Sequence, residues 1–193
     1  MSACMAAFVL NDATVKLTAS NLNIFQVMLL RGLFATLFIG LLAWHKKALF
    51  VRLSRSDWKV LALRTFGEVG GTLCFLTALF NMPIANATAI LQALPLVITV
   101  GAALFLKQTV GWRRYFAVLV GFFGVLVIVR PGVDGFTVYA YWAIAAVIFV
   151  TLRDLVTVKI STQAPSLFIA LVAAISICIV GGIMSLTKPW KPV

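Results

Sequence analysis

Charge is scarce in this sequence, and negative charge is scarcer still. Of 193 residues only 11% are charged, well below the roughly 25% of an ordinary soluble domain. Hydrophobic residues make up 63%, and mean hydropathy is +1.09; a water-soluble fold has no means of hiding that much apolar surface. Five acidic residues and a single histidine, His45 in a basic stretch, leave no nucleophile and base in a recognisable context. No glycine-rich loop follows a strand, so the chain is expected not to be an enzyme and to hold no metal or cofactor. Cys4, Cys74 and Cys178 are odd in number, far apart and set in apolar segments, which argues against a disulfide framework or zinc site and leaves them as packing residues. Sixteen Lys and Arg give a net charge of +11. They lie between the apolar runs instead of forming one patch, so no nucleic-acid partner is expected and membrane topology accounts for them. The first apolar segment has no basic leader or small-residue cleavage pattern, so it reads as a retained helix and not a signal peptide.

Long apolar runs are what the sequence has in abundance. A spanning helix needs about 20 mainly apolar residues, and such runs occupy 3–20, 24–44, 58–80, 84–106, 112–130, 138–158 and 166–187. The expected fold is an all-α membrane protein of about seven transmembrane helices with the lipid bilayer as its surroundings. Short connections fall at 21–23, 82–83, 107–111, 131–137 and 162–165, and a longer one at 45–57. Trp44, Trp58, Trp112, Trp142 and Trp190 all fall at or just beyond helix ends, where an indole ring prefers the headgroup region. Lys46, Lys47, Arg52, Arg55 and Lys59 flank the second connection, Lys107, Arg113 and Arg114 the fourth, and Lys159 the sixth. The first and third carry no charge, and the fifth sets Arg130 against Asp134. By the positive-inside rule the amino terminus is cytoplasmic.

A charged side chain at the bilayer centre costs about 2.5–3.5 kcal/mol on insertion scales, so each one retained there calls for a partner, a wet cavity or a route to the headgroups. Asn11, Asp12 and Lys16 cluster in the first span, where Asp12 and Lys16 are one turn apart and either neutralise each other or line a cavity. Arg31 lies about two turns into the second span, within snorkelling reach or facing an anion. Arg64 and Glu68 in the third are spaced to pair, and Gly67 and Gly71 beside them form a small-residue packing surface. In the fourth span Pro95 has no N–H to give the Leu91 carbonyl, so a kink is expected beside Gln92, with Asn86, Thr88 and Thr99 on the same helix. Arg153 and Asp154 are neighbours in the sixth and are expected to point apart. The Gly121-to-Gly124 spacing reads as close helix packing.

The run ALFNMPIANATAILQALP at 78–95, with GWRRY at 111–115 and GFFGVLVIVRPG at 121–132, resembles the EamA-type drug/metabolite transporter superfamily. NDATVK at 11–16 and LRG at 30–32 are similar too, and the likeness thins beyond 137. Where many members carry Glu before the VGWRR segment, this chain has Gln108. The resemblance implies two five-helix repeats of opposite orientation. Residues 1–132 would be the first, and 138–193 a partial second repeat of two helices. Setting Asp154 on Asp12 also sets Arg153 on Asn11, an echo of that inverted repeat. A full transporter of this kind has three further helices, so the chain reads as truncated at its C-terminal end. The function implied is a secondary transporter of small metabolites in the bacterial inner membrane working by alternating access, with an amino-acid- or S-adenosylmethionine-like substrate. The residues expected to serve it are Asp12 and Glu68 as cation or proton partners, Arg31 as an anion partner, and Asn11, Asn86 and Gln92 as hydrogen-bonding groups. The alternative is a membrane remnant that is inert alone or acts only as a subunit, completed by a homodimer partner or by a missing C-terminal half.

Overall fold

The computed structural model describes residues 2–18, 22–47, 54–107, 111–129, 138–160 and 164–186. Among these residues no strand occurs and the chain forms α1 (Ser2–Thr18), α2 (Ile24–His45), α3 (Arg55–Asn81), α4 (Ile84–Leu91), α5 (Leu94–Phe105), α6 (Trp112–Val129), α7 (Tyr139–Thr157) and α8 (Ser166–Ser185). Ile24–His45, Arg55–Asn81, Ile84–Phe105, Tyr139–Thr157 and Ser166–Ser185 have the length and hydropathy to cross a bilayer, while α1 and α6 have 17 and 18 residues. With α4 and α5 counted as one interrupted span, the described residues form seven helices. The fold is an all-α, multi-pass membrane protein, as the hydropathy pattern requires.

The helix ends follow local chemistry. The Asn23 backbone N–H donates to Gln26 Oε1 at 2.8 Å, closing the first turn of α2. Pro83 and Pro165 precede α4 and α8, where a missing N–H costs nothing. Lys47 and Lys107 end α2 and α5 in the left-handed region, at φ of 51° and 50°. The expected kink is a true break: Gln92 and Ala93 form a turn, Ala93 N–H bonds Ile90 O at 3.1 Å, and helix resumes when Val97 N–H bonds Ala93 O at 3.0 Å. Pro95 is the cause, because the bond from residue 95 back to Leu91 cannot form. The hydroxyls of Thr88 and Thr99 turn onto their own helices, donating to Ile84 O and Pro95 O at 2.8 and 2.7 Å. That satisfies them in an apolar setting without any further partner.

The chain divides into two compact units, residues 1–55 with 161–193, and residues 56–160. In the first, α2 and α8 meet backbone to backbone. A Cβ on Gly32 would lie 2.8 Å from Cys178 Cα, and one on Gly181 2.8 Å from Leu29 N. In the second, Gly67, Gly70 and Gly71 seat α3 on Phe149, Val150 and Arg153 of α7, while Gly101 seats α5 on Leu155. Gly121 seats α6 on Leu96 of α5, but a Cβ on Gly124 would meet nothing within 4 Å, so only the first glycine of that spacing packs.

Alanines are numerous in the interior, beside a few large side chains such as Met28, Leu76 and Leu79, while many large apolar residues face outward. Ala78, Ala87, Ala89, Ala140, Ala143 and Ala146 are buried, whereas Phe34, Phe38, Leu104, Phe105, Phe116 and Phe123 are exposed. Such an arrangement is stable only where the surroundings are themselves apolar. Trp44, Trp58, Trp112 and Trp142 are exposed near helix ends, and the Arg113 guanidinium lies 5.9 Å from the Trp112 ring. Trp190, Asp134, Arg130, Gln108 and the connection at 131–137 lie outside the described residues.

Candidate functional site

Two of the five acidic residues of the chain meet both deep arginines of the second unit in one chain of charges. Glu68 is the midpoint of α3, equally far from Arg55 and Asn81, which puts it about 20 Å along the helix axis from either end. Its Oε1 accepts from Arg153 Nη1 of α7 at 3.2 Å, and its Oε2 lies 3.7 Å from Arg64 Nη1 one turn away. Arg153 Nε in turn donates to Asp154 Oδ1 at 2.8 Å. Arg64 Nε donates to Thr157 Oγ1 at 3.0 Å, and the Thr157 hydroxyl donates to Arg153 O at 2.6 Å. Two arginines and two carboxylates therefore cancel in charge across the contact of α3 with α7.

The packing that makes this contact is written beside it. A Cβ on Gly67 would lie 2.9 Å from Phe149 O and 3.1 Å from Arg153 Cβ, so only glycine lets the α7 backbone approach close enough for Glu68 to reach Arg153. Phe66 and Phe149 close the flank edge to face, with ring centroids 5.7 Å apart. The side chains of Arg64, Glu68, Arg153 and Asp154 are 15%, 18%, 25% and 34% exposed, so the network grades from a largely enclosed end to a more open one. At the enclosed end Arg64 Nη1 is buried without a hydrogen-bond partner, and its ion pair to Glu68 is long. The array is thus neutral overall but under-satisfied at one cation.

The six residues expected from sequence are placed unequally. Glu68 is at the centre of the charge chain. Asn86 on α4 is half-buried and Gln92 in the α4–α5 turn is exposed, and neither joins it. In the other unit Asn11 Nδ2 donates to Asp12 Oδ1 at 3.2 Å, and Arg31, exposed on α2, interacts electrostatically with Asp12. Arg153 and Asp154, expected to point apart, are joined because the arginine is long enough to fold its Nε back onto its neighbour. Arg64, Arg153, Asp154 and Thr157 are the members sequence reasoning left out of the site. The available signal was an acid and an arginine in each of two apolar helices, one of them beside a pair of glycines. Among the described residues no cluster of His, Cys, Asp or Glu could hold a metal ion.

Residues 1–130 match the EamA-like transporter family. The chain is 32% identical over 114 residues to a riboflavin transporter of Vibrio cholerae, covering 58% of this chain and 38% of that protein. It is 27% identical over 154 residues to an S-adenosylmethionine uptake transporter of Rickettsia prowazekii, covering 78% and 50%. It is 28% identical over 152 residues to the pseudopaline exporter CntI of Pseudomonas aeruginosa, covering 76% and 52%. The chain therefore spans about half the length, or less, of the curated relatives it matches. No solved structure matches it significantly.

Proposed function

The chain belongs to the EamA-like transporter family, and from that premise we propose that it carries small metabolites across a bacterial inner membrane by alternating access, with its amino terminus in the cytoplasm. The observation that carries this reading is the Arg64–Glu68–Arg153–Asp154 array in an otherwise apolar helix contact. A purely structural contact would not need four charges, since an apolar pair packs as well without the cost of desolvating them. Intramembrane ionisable groups ordinarily serve a pathway. The substrate class is amino-acid-like or S-adenosylmethionine-like, bearing both a carboxylate and an ammonium group. Such a zwitterion would trade partners with the array: its carboxylate takes the under-satisfied Arg64 or Arg153, and its ammonium, or a proton, takes Glu68. Asp12 serves as a second cation or proton partner and Arg31 as an anion partner, with Asn11, Asn86 and Gln92 as hydrogen-bonding groups. The relatives include both an uptake transporter and an exporter, so direction does not follow from family.

The test is uptake of labelled amino acids and S-adenosylmethionine into proteoliposomes, beside the corresponding decarboxylated amines and deaminated acids. Zwitterions are expected to be carried and the one-charge analogues not. Equal transport of the amines alone or the acids alone would overturn the assignment of substrate class.

A second reading rests on coverage, because the chain spans about half the length of its relatives. In it these residues do not transport alone but act as a subunit, completed by a second copy or by further protein. A purified, folded chain that carries nothing, and gains transport when a partner is co-expressed, would favour it.

A further inference from the structure

Within the second unit α5 and α7, with Leu63 of α3, leave a slot of about 540 Å³. That is in the size range of a small-ligand pocket. Its α7 wall is Ile148, Thr151, Leu152, Leu155, Val156 and Lys159, the spacing of one helical stripe, and runs about 16 Å along the axis. Val97, Val100, Gly101, Leu104 and Phe105 of α5 face it. The Thr151 hydroxyl oxygen is itself buried, so the wall there offers its methyl group, which lies toward Gly101. The slot is apolar from end to end except for Lys159.

Two further observations say what would fill it. Leu104, Phe105 and Ile148 on its rim are strongly exposed, so the slot opens through apolar groups and is suited to an apolar chain. Its one cation stands at the end of α7, and Lys107 follows directly on Phe105 and Leu106 at the end of α5, so positive charge is gathered at one end only. An apolar trough with a lysine at one end is complementary to a molecule that joins a long apolar chain to an anionic group. We propose that this slot holds an acyl chain of an anionic phospholipid, its phosphate against Lys159 and Lys107. The site is distinct from the charge array, none of whose members lines it.

The test uses the full chain reconstituted in phosphatidylcholine with chain-spin-labelled phosphatidylglycerol or phosphatidylcholine, reading the motionally restricted fraction. Phosphatidylglycerol is expected to be preferred about fivefold, the effect of a single lysine beside an anionic headgroup, or more with both lysines. Lys159→Gln, an exposed change that leaves the slot intact, should lower that preference severalfold. Val100→Phe, which fills the trough, should remove the preference for phosphatidylglycerol while the protein's melting profile stays intact. Equal restriction of the two lipids in the unmodified protein, or a preference untouched by Val100→Phe, would overturn the proposal.

Discussion

At the scale of single residues, Glu68 decides most. Replacing it by Gln keeps the shape but leaves Arg64 and Arg153 without their shared anion, and breaking a buried pair of this kind costs about 3–5 kcal/mol. Thermal unfolding of Glu68→Gln in detergent should show a loss toward the lower end of that range, since the side chain is not fully enclosed. Thr157→Val removes the acceptor of one Arg64 N–H and the donor to Arg153 O, and should cost about 1–3 kcal/mol. A double-mutant cycle on Glu68→Gln and Arg153→Gln should return a coupling of about 1–3 kcal/mol, and a coupling near zero would mean that the 3.2 Å contact does not form in the membrane. The sequence made the two halves of this array legible separately. Spacing by four shows that Arg64 and Glu68 can pair, and a carboxylate that deep in a span also marks Glu68 as a candidate cation or proton partner. The longer-range pairing with Arg153 stayed hidden because nothing in a local pattern says which helix lies against which. Adjacency of Arg153 and Asp154 was misleading for a different reason: neighbouring side chains leave a helix in different directions, yet an arginine has enough bonds to bend back.

At the scale of helices, glycine positions carry the packing and proline the break. Gly67→Leu drives a side chain into Phe149 O and Arg153, separates α3 from α7, and should cost at least ~1–3 kcal/mol in melting while uncoupling Glu68 from Arg153. Gly124→Leu, three residues after Gly121 but facing open space, should change stability little. Pro95→Ala restores an N–H for the Leu91 carbonyl, so hydrogen exchange around 92–97 should slow as α4 and α5 join, and unchanged exchange would mean that the turn is held by its surroundings instead. Spans were readable because the bilayer makes the criterion simple: length and continuous apolarity. The break at Gln92 was readable because proline acts through its own missing donor. Which of two equally spaced glycines packs was not, since that depends on whether another helix comes near.

At the scale of the whole chain, the many large apolar residues that face outward agree with a molecule set in a bilayer. Family membership, read first from the segments at 78–95 and 111–132, is borne out by the match over 1–130. Substrate and direction were never legible, because they are set by side chains that meet across helices and by the energetics of two alternating states. The central claim is that the charge array serves transport, and uptake into proteoliposomes by the unmodified chain, by Glu68→Gln and by Asp12→Asn tests it most directly. Each variant should be compared at matched stability. The account predicts zwitterion uptake by the unmodified chain and a loss of at least about tenfold in Glu68→Gln, the kinetic equivalent of one partner lost from a charged contact. Uptake by Glu68→Gln at the unmodified rate would contradict it, whatever Asp12→Asn does.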